Sequence, residues 1–583
     1  MIPKKWLISL GLMFLMAVAL ALPACAPPDS DDNGVNDELA TEYRVGGLTM
    51  MDSLNMSPEV LMYTNVGCLY LIYNYENLAA FPMLDGDPPQ SSYDFIPRLA
   101  TDFTVTYDGT DQVWTLTLRE GVTWQDGEDF TADDVVYSVM YVQNRYDVSK
   151  PIDWDAVDED TEWEEVWPEH VLVEADGPYT VKMTYIDGWH QPEDYVPGWW
   201  MYDPIVPEHV FGPEGEGVYD GWNEDPLLWD GESIGTGPYK LIEFEPDQYI
   251  LFERYEDYWG PKPAAERHLF RFYGDPGSLT TALEAGAIDT VSDESIPFLK
   301  IASYEANPDI EVSFDKGLSI YYLGFNLHPD EGYEPLQDRV LRQAIAYAID
   351  EQNIVALIYG GYGEVPSGFI YNESPNYNPD LPDYSLDQER GNELLEDAGY
   401  SKDNGYWHTP DGERITFTLT TISGVYADMA LMITTNLQDF GLDVTHEVID
   451  STTFIQYLYR PDTGGMQAFI YAEDPGMDPV SDWIWMILSD PYFWGYEWNT
   501  TWYDDPRFNE LFMENYLAED LDGKKNTLFE MQAILAEDLP MIYLVRPDFI
   551  SAHRTDRWEN WYTTIGGPYS WLNEYSVRQA TPR

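Results

Sequence analysis

The chain has 583 residues, with 105 Asp and Glu against 29 Lys and Arg and a formal net charge of −76 at pH 7. That balance excludes general nucleic-acid binding, because a phosphate backbone is held by Lys and Arg that release its counterions. The length calls for several domains of ~100–200 residues each. Acids dispersed along the chain make a solvated surface suited to high salt, which screens self-repulsion, or to low external pH, which protonates it.

The N-terminus carries a targeting signal. Lys4 and Lys5 precede an uncharged apolar run from Trp6 to Leu22, followed by Pro23, Ala24 and Cys25. A basic start, an apolar middle and small residues at a cleavage point make a secretory signal peptide over 1–24. The run is also about long enough for an uncleaved anchor, since a span needs ~17–25 apolar residues. Cys25 directly after Ala24 resembles a bacterial lipoprotein signal, in which that cysteine is lipidated and begins the mature chain; Pro23 departs from the usual pattern. Both readings place the body of the protein outside the cytoplasm. Residues 25–40, rich in Pro, Gly, Asn and Asp, cannot bury enough surface to offset chain entropy and read as a disordered tether. With Cys25 lipidated, Cys68 in the apolar stretch VGCLYLIY has no disulfide partner and reads as a buried, inert thiol.

Glu42 to Gly47 reads as a short strand entering a glycine turn, and Leu61 to Leu78 as an apolar helix. Trp114 to Ser138 has the clearest local pattern. Trp114, Leu116 and Leu118 alternate with Thr115, Thr117 and Arg119 to make a strand, and Asp126-Gly127 turns the chain. Thr131 then caps a helix whose first turn places Asp133 and Asp134 at the positive end of the dipole. Pro178 to Tyr185 is a further strand. Ile234-Gly-Thr-Gly-Pro-Tyr-Lys-Leu241 is a tight bend feeding a strand; without a following GK[ST] it is not a phosphate loop. From Asp338 to Asp350, the residues Val340, Ala344, Tyr347 and Ala348 form an apolar helical stripe, with Arg339 and Arg342 off it. Gly391 to Gly399 reads as a helix stopped by glycine, and Met429 to Leu442 as an amphipathic helix before a strand from Asp443 to Ile449.

These blocks, in this order, resemble extracellular solute-binding protein family 5, the receptors that feed peptides, nickel chelates or some oligosaccharides to ABC importers. WTLTLREGVTWQDGEDFTADDVVYS, IGTGPYKL with YWGPKP at 258–263, and LGFN at 323–326 with DRVLRQAIAYAID carry the likeness, which extends from about Glu42 to Val545. The resemblance implies an α/β, two-lobed periplasmic-binding-protein-like fold of class II, with an additional inserted α/β domain and a hinge between the lobes. Lobe I would comprise 41–73, 234–316 and 546–583, the inserted domain 74–233, and lobe II 317–545. The implied partners are a small-molecule ligand, ABC permease subunits and a membrane reached through the N-terminal lipid; the implied state is monomeric.

Phe469 to Pro479 follows a strand and carries Glu473, Asp474 and Asp478 among turn residues. In peptide-binding members the matching segment holds the ligand's α-ammonium group on an Asp, which the resemblance assigns to Asp474, with Tyr471, Ala472 and Glu473 beside it. A charge-assisted hydrogen bond suits an ammonium; an Asp before Pro475 serves equally as a turn cap. Dipeptide binders place an Arg for the ligand carboxylate just before the helix matching Met429 to Leu442. Residues 423–428 contain none, which disfavours a strict dipeptide and leaves longer peptides or sugars stacked on aromatic rings. The eight His are scattered, so no metal site or cofactor is expected, and Asp153-Trp-Asp155 lacks calcium-loop spacing. No H-E-x-x-H, G-x-S-x-G or Cys-plus-His arrangement marks a catalytic centre, so the expectation is a receptor and not an enzyme.

Overall fold

The computed structural model describes residues 41–48, 73–80, 95–143, 171–185, 204–211, 234–292, 296–372, 374, 376–459, 465–473, 499–518, 520–561 and 579–583. The signal and tether with Cys25, residues 61–72 of the helix expected over Leu61 to Leu78, Cys68, Asp153-Trp-Asp155 and Asp474 to Pro479 lie outside them; in the described part of that helix Tyr73 and Asn74 are helical and Tyr75 to Leu78 are not.

In chain order, β1 (Glu42–Gly47) opens the main sheet. Next come β2 (Ala100–Asp108), β3 (Asp111–Leu118), α1 (Ala132–Gln143), β4 (Val171–Ala175) and β5 (Thr180–Tyr185). The chain returns as β6 (Tyr239–Glu245), β7 (Tyr249–Arg254), β8 (Arg267–Phe272), β9 (Thr290–Val291) and β10 (Ile310–Lys316). Then follow β11 (Ile320–Phe325), α2 (Arg339–Ala346), α3 (Glu351–Ile358), β12 (Gly363–Glu364) and α4 (Gln388–Asp397). Later elements include β13 (Thr416–Thr421), α5 (Val425–Phe440), β14 (Asp443–Val448), α6 (Ser451–Tyr459), β15 (Ala468–Glu473), α7 (Leu521–Asp538) and β16 (Met541–Arg554).

Strands β2-β3-β5-β4 form a separate antiparallel sheet. Its period-two pattern buries Gln112, Trp114, Leu116 and Leu118 on one face of β3, and Trp114 stacks on Phe103 at 5.1 Å. Together with Trp124, Phe130, Val135, Val181 and Met183 these side chains make a core of their own. The predicted turn is present, with Gly127 at φ +101. The start of α1 is made differently from the expected hydroxyl cap. Asp134 reaches back to accept from the Thr131 amide at 2.9 Å and also takes Trp124 Nε1 and the Glu208 amide. This is the acidic half of a capping box, and its burial pushes the Asp134 carboxyl up from its ordinary value.

Among the described residues the main sheet has twelve strands, with β14-β13-β15-β11-β16-β9-β1-β8-β7-β6 as its path and β10 and β12 also pairing with β16. On the β11 side, a core runs from Leu318 to Val545. On the β1 side lie an aromatic cluster around Tyr43, Tyr73, Tyr239 and Phe252 and a second cluster around Leu279, Ile288, Ile301 and Ile550. One strand, β16, serves both sides: Met541–Val545 pairs with β11, and Asp548–Arg554 with β10.

The α2 segment departs from its expected stripe. Leu341, Ala344, Ile345 and Ala348 are fully buried, while Val340 and Tyr347 are half-buried. Arg342, expected off the stripe, is 4% exposed. Its guanidinium donates to the carbonyls of Leu336 (2.7 Å), Gln337 (2.9 Å), Asp538 (2.6 Å) and Leu539 (2.9 Å). Those carbonyls belong to the end of α7 and a turn before α2, where helix ends leave acceptors without intrahelical donors. Arginine's planar fork can serve several at once. Helix α4 ends as expected, with Gly399 at φ +88 after the cap. Helix α5 begins four residues earlier than predicted and stops at Gly441, φ +105.

Candidate functional site

Sheet direction locates the edge at which the β11 half meets the rest. Strand β16 leaves the β11 half at Val545, so the antiparallel β11 starts there, at Ile320 and Tyr321. Strand β15 is antiparallel to β11 and ends there, Glu473 opposite Ile320. Strands β13 and β14 are parallel to β15 and point their carboxyl ends the same way. Carboxyl ends of parallel strands are where α/β sheets open into ligand crevices, because the turns into the following helices spread apart there. The N-termini of α5 and α6 follow directly from two of those ends.

Tyr471, Ala472 and Glu473 all lie at this edge on β15, each half-buried. The pleat divides them: Tyr471 and Glu473 take one face, Ala472 the other. The Tyr471 ring sits against Tyr322 at 6.5 Å and Phe454 of α6 at 5.9 Å. Ala472 is opposite Tyr321, whose ring meets Tyr426 at 5.4 Å and Tyr359 at 6.1 Å. Tyr321, Tyr359 and Tyr426 are each half-buried and come from β11, the end of α3 and the first turn of α5. Asp474, the next residue after β15, lies outside the described residues. Gly424 begins α5 at φ +87 with no side-chain cap. Asp450 caps α6 through the Thr453 amide and hydroxyl at 3.0 and 2.7 Å, bonds that lower its carboxyl from the usual range. On β14, partial burial depresses His446, whose Nε2 lies 2.8 Å from Thr421 Oγ1.

Half-buried aromatic rings gathered at strand ends suit a ligand with cationic or hydroxyl groups and flat apolar surface. Sequence reasoning missed the three tyrosines because they stand 38 and 67 residues apart with no shared motif. Tyr321 stands two residues before the LGFN block at 323–326, the one nearby feature the sequence singled out.

The strongest sequence motifs do different work. Gln125, from the WQDG turn, is 8% exposed and donates through Nε2 to the carbonyls of Gly237 (3.2 Å) and Tyr239 (2.8 Å). Its amide donates to the Gly235 carbonyl at 3.1 Å, and Lys240 Nζ returns 2.6 Å to the Gln125 carbonyl. Tyr255 adds a bond from its hydroxyl to the Trp124 carbonyl, and Lys240 lies over its ring at 4.4 Å. The two signature blocks therefore fasten the β2–β5 sheet to the main sheet, remote from the strand ends described above. Among the described residues, no group of three His, Cys, Asp or Glu is placed to hold a metal ion, and no helix is long and apolar enough to cross a membrane.

Comparison with known proteins gives the same reading of the fold. The oligopeptide-binding protein AppA of Bacillus subtilis is 26% identical over 446 residues, covering 74% of this chain and 75% of that protein. Its structure in complex with a nonapeptide aligns with a TM-score of 0.68 at 20% identity, over 93% of this chain and 99% of that one. A mannohexaose-bound periplasmic oligopeptide-binding protein from Thermotoga maritima aligns with a TM-score of 0.68 at 19% identity, over 93% and 99%. These neighbours share the two-lobed α/β architecture. Residues 94–494, more than half of the chain, match the model described as Bacterial extracellular solute-binding proteins, family 5 Middle. The chain belongs to the family 5 extracellular solute-binding proteins.

Proposed function

We propose that this protein is the extracytoplasmic, non-enzymatic receptor of an ABC importer, held to the membrane through lipid on Cys25, and that it captures oligopeptides between two closing lobes for delivery to a permease. The observation that carries the reading is the convergence of β13, β14, β15 and the start of β11 on one edge, lined by Tyr321, Tyr426 and the β15 end. Asp474, next in sequence after β15, supplies the carboxylate for a peptide ammonium, with Tyr471, Ala472 and Glu473 beside it. The missing Arg at 423–428 favours longer peptides held by their backbone over dipeptides. Lobe I is assigned 41–73, 234–316 and 546–583, the inserted domain 74–233 and lobe II 317–545, as one monomer.

An oligosaccharide ligand is the second reading, favoured by the same half-buried tyrosines, whose ring faces stack on sugars, and by the mannohexaose carried by the Thermotoga relative. Native mass spectrometry of protein purified from its own host discriminates the two. A retained peptide mass supports the first; a retained hexose ladder overturns it. Asp474→Ala should weaken peptide binding by ~10–100-fold, the effect of a lost charge-assisted bond. Unchanged peptide affinity in that variant removes the ammonium role.

A further inference from the structure

The apolar cores stop on either side of the strand that joins the two halves of the main sheet. Met541–Val545 belongs to one core and Ile550 and Ala552 to another. Between them lie Arg546, Pro547, Asp548 and the buried Phe549, and charged side chains gather at this stretch. Arg546 is 1% exposed. It donates from Nε to the Gly317 carbonyl at 2.7 Å and from Nη1 to Glu364 Oε1 at 3.1 Å, and its guanidinium covers the Tyr371 ring at 4.1 Å. Glu364 Oε2 takes Lys316 Nζ at 3.0 Å, and the same ammonium reaches Asp548 Oδ1 at 3.4 Å. Tyr371 OH donates to the Leu318 carbonyl at 2.9 Å.

Three segments meet in this cluster: the β10–β11 link at 316–318, β12, and the middle of β16. Backbone hydrogen bonding is weak at the same place. Pro547 has no amide to donate, and its partner Gly363 stands at φ +144, where a Cβ would lie 2.9 Å from the Arg546 carbonyl oxygen. Packed apolar cores resist small displacements because close packing is lost with them. Ion pairs on long side chains can follow a rotation of the backbone and re-form. A chain of net charge −76 also pushes its own halves apart, and Lys316 and Arg546 oppose that push at the crossing.

We propose that Lys316, Glu364, Arg546 and Asp548 form a charge clasp that sets the resting balance between open and closed lobes before any ligand arrives. Glu364 is its centre among the described residues, since it touches both Lys316 and Arg546. The inference rests on the lobes closing as proposed above, but its readouts need no ligand. A failed clasp and a failed receptor assignment are therefore told apart.

The test compares ligand-free wild type with Glu364→Gln and Lys316→Met by solution scattering at low and high potassium chloride and by hydrogen exchange. Both variants should show a larger radius of gyration at low salt. They should also exchange about tenfold faster over 316–320, 363–364 and 545–548, as expected for pairs between the exposed and the fully buried limits. Exchange within α5, remote from the crossing, should stay as in wild type. Wild-type scattering and exchange in Lys316→Met, whose side chain is 37% exposed and among the described residues bonds to carboxylates and to no backbone group, would overturn the proposal even if Glu364→Gln fails to fold. Equal loss of protection in α5 would overturn it too, marking a general stability role.

Discussion

Replacing Arg342 with methionine isolates the energetic weight of a single buried guanidinium. Five N–H···O contacts of 2.6–3.0 Å tie it to four carbonyls at the end of α7 and before α2. Buried ion pairs can be exchanged for apolar side chains at little cost when both charges go. Here the partners are backbone carbonyls, which no substitution removes. Each acceptor left without a donor costs ~1–3 kcal/mol, and water reaching the edge of the site restores part of that. The expected loss is therefore ~3–5 kcal/mol, at the diagnostic end of single-substitution effects. Burial lowers the Arg342 guanidinium only to about 10, so the group is charged at neutral pH and the donors are intact. Because a multidomain chain does not unfold in one step, the assay is denaturant-dependent hydrogen exchange over 334–346 and 521–545, with Arg342→Lys as control. Lysine offers one compact donor group in place of a fork and should recover only part of the loss. A methionine variant within about 0.5 kcal/mol of wild type would refute the reasoning, since that is the range of neutral surface changes.

Gly235→Ala would put a Cβ 1.7 Å from the Asn74 carbonyl oxygen, backbone against backbone, so the joint at Gln125 should open. We expect lost protection at 73–75 and 234–240 and a cost of at least ~3 kcal/mol; a melting curve superimposable on wild type would contradict this. Glu351, 6% exposed, has its carboxyl pushed up by burial to about 8. The folded state holds a proton that the unfolded chain releases above its ordinary carboxylate value, so stability falls as pH rises from ~4.5 to about 8. Glu351→Gln removes that slope, and its melting temperature should gain on wild type steadily between pH 5 and 8; parallel curves would show that the site does not titrate as described.

Much of the fold was legible because its determinants are local. The alternation through Trp114 to Leu118, the glycine at 127 and the glycine stops after α4 and α5 act over a few residues, and the structure contains each of them. At α1 the local signal named the right turn and the wrong atom: Thr131 supplies the amide and Asp134 the acceptor. The candidate site was half legible. Phe469 to Pro479 was read as following a strand, whereas the strand β15 itself runs through Glu473; which face each of its residues takes, and what lies opposite, depends on β11.

By itself the sequence determined the class of elements, their order and the family, through patterns that act within one turn or one strand. Tertiary structure alone decided that Arg342 is inside, because the carbonyls it serves lie almost two hundred residues away at the end of α7. It also decided that the signature turns at Gln125 and Gly235 fasten sheets together, and that Lys316, Glu364, Arg546 and Asp548 share one crossing. Charge and polarity in a sequence predict exposure only on average. The desolvation of a buried ion is offset by partners whose positions the whole chain must fold to supply.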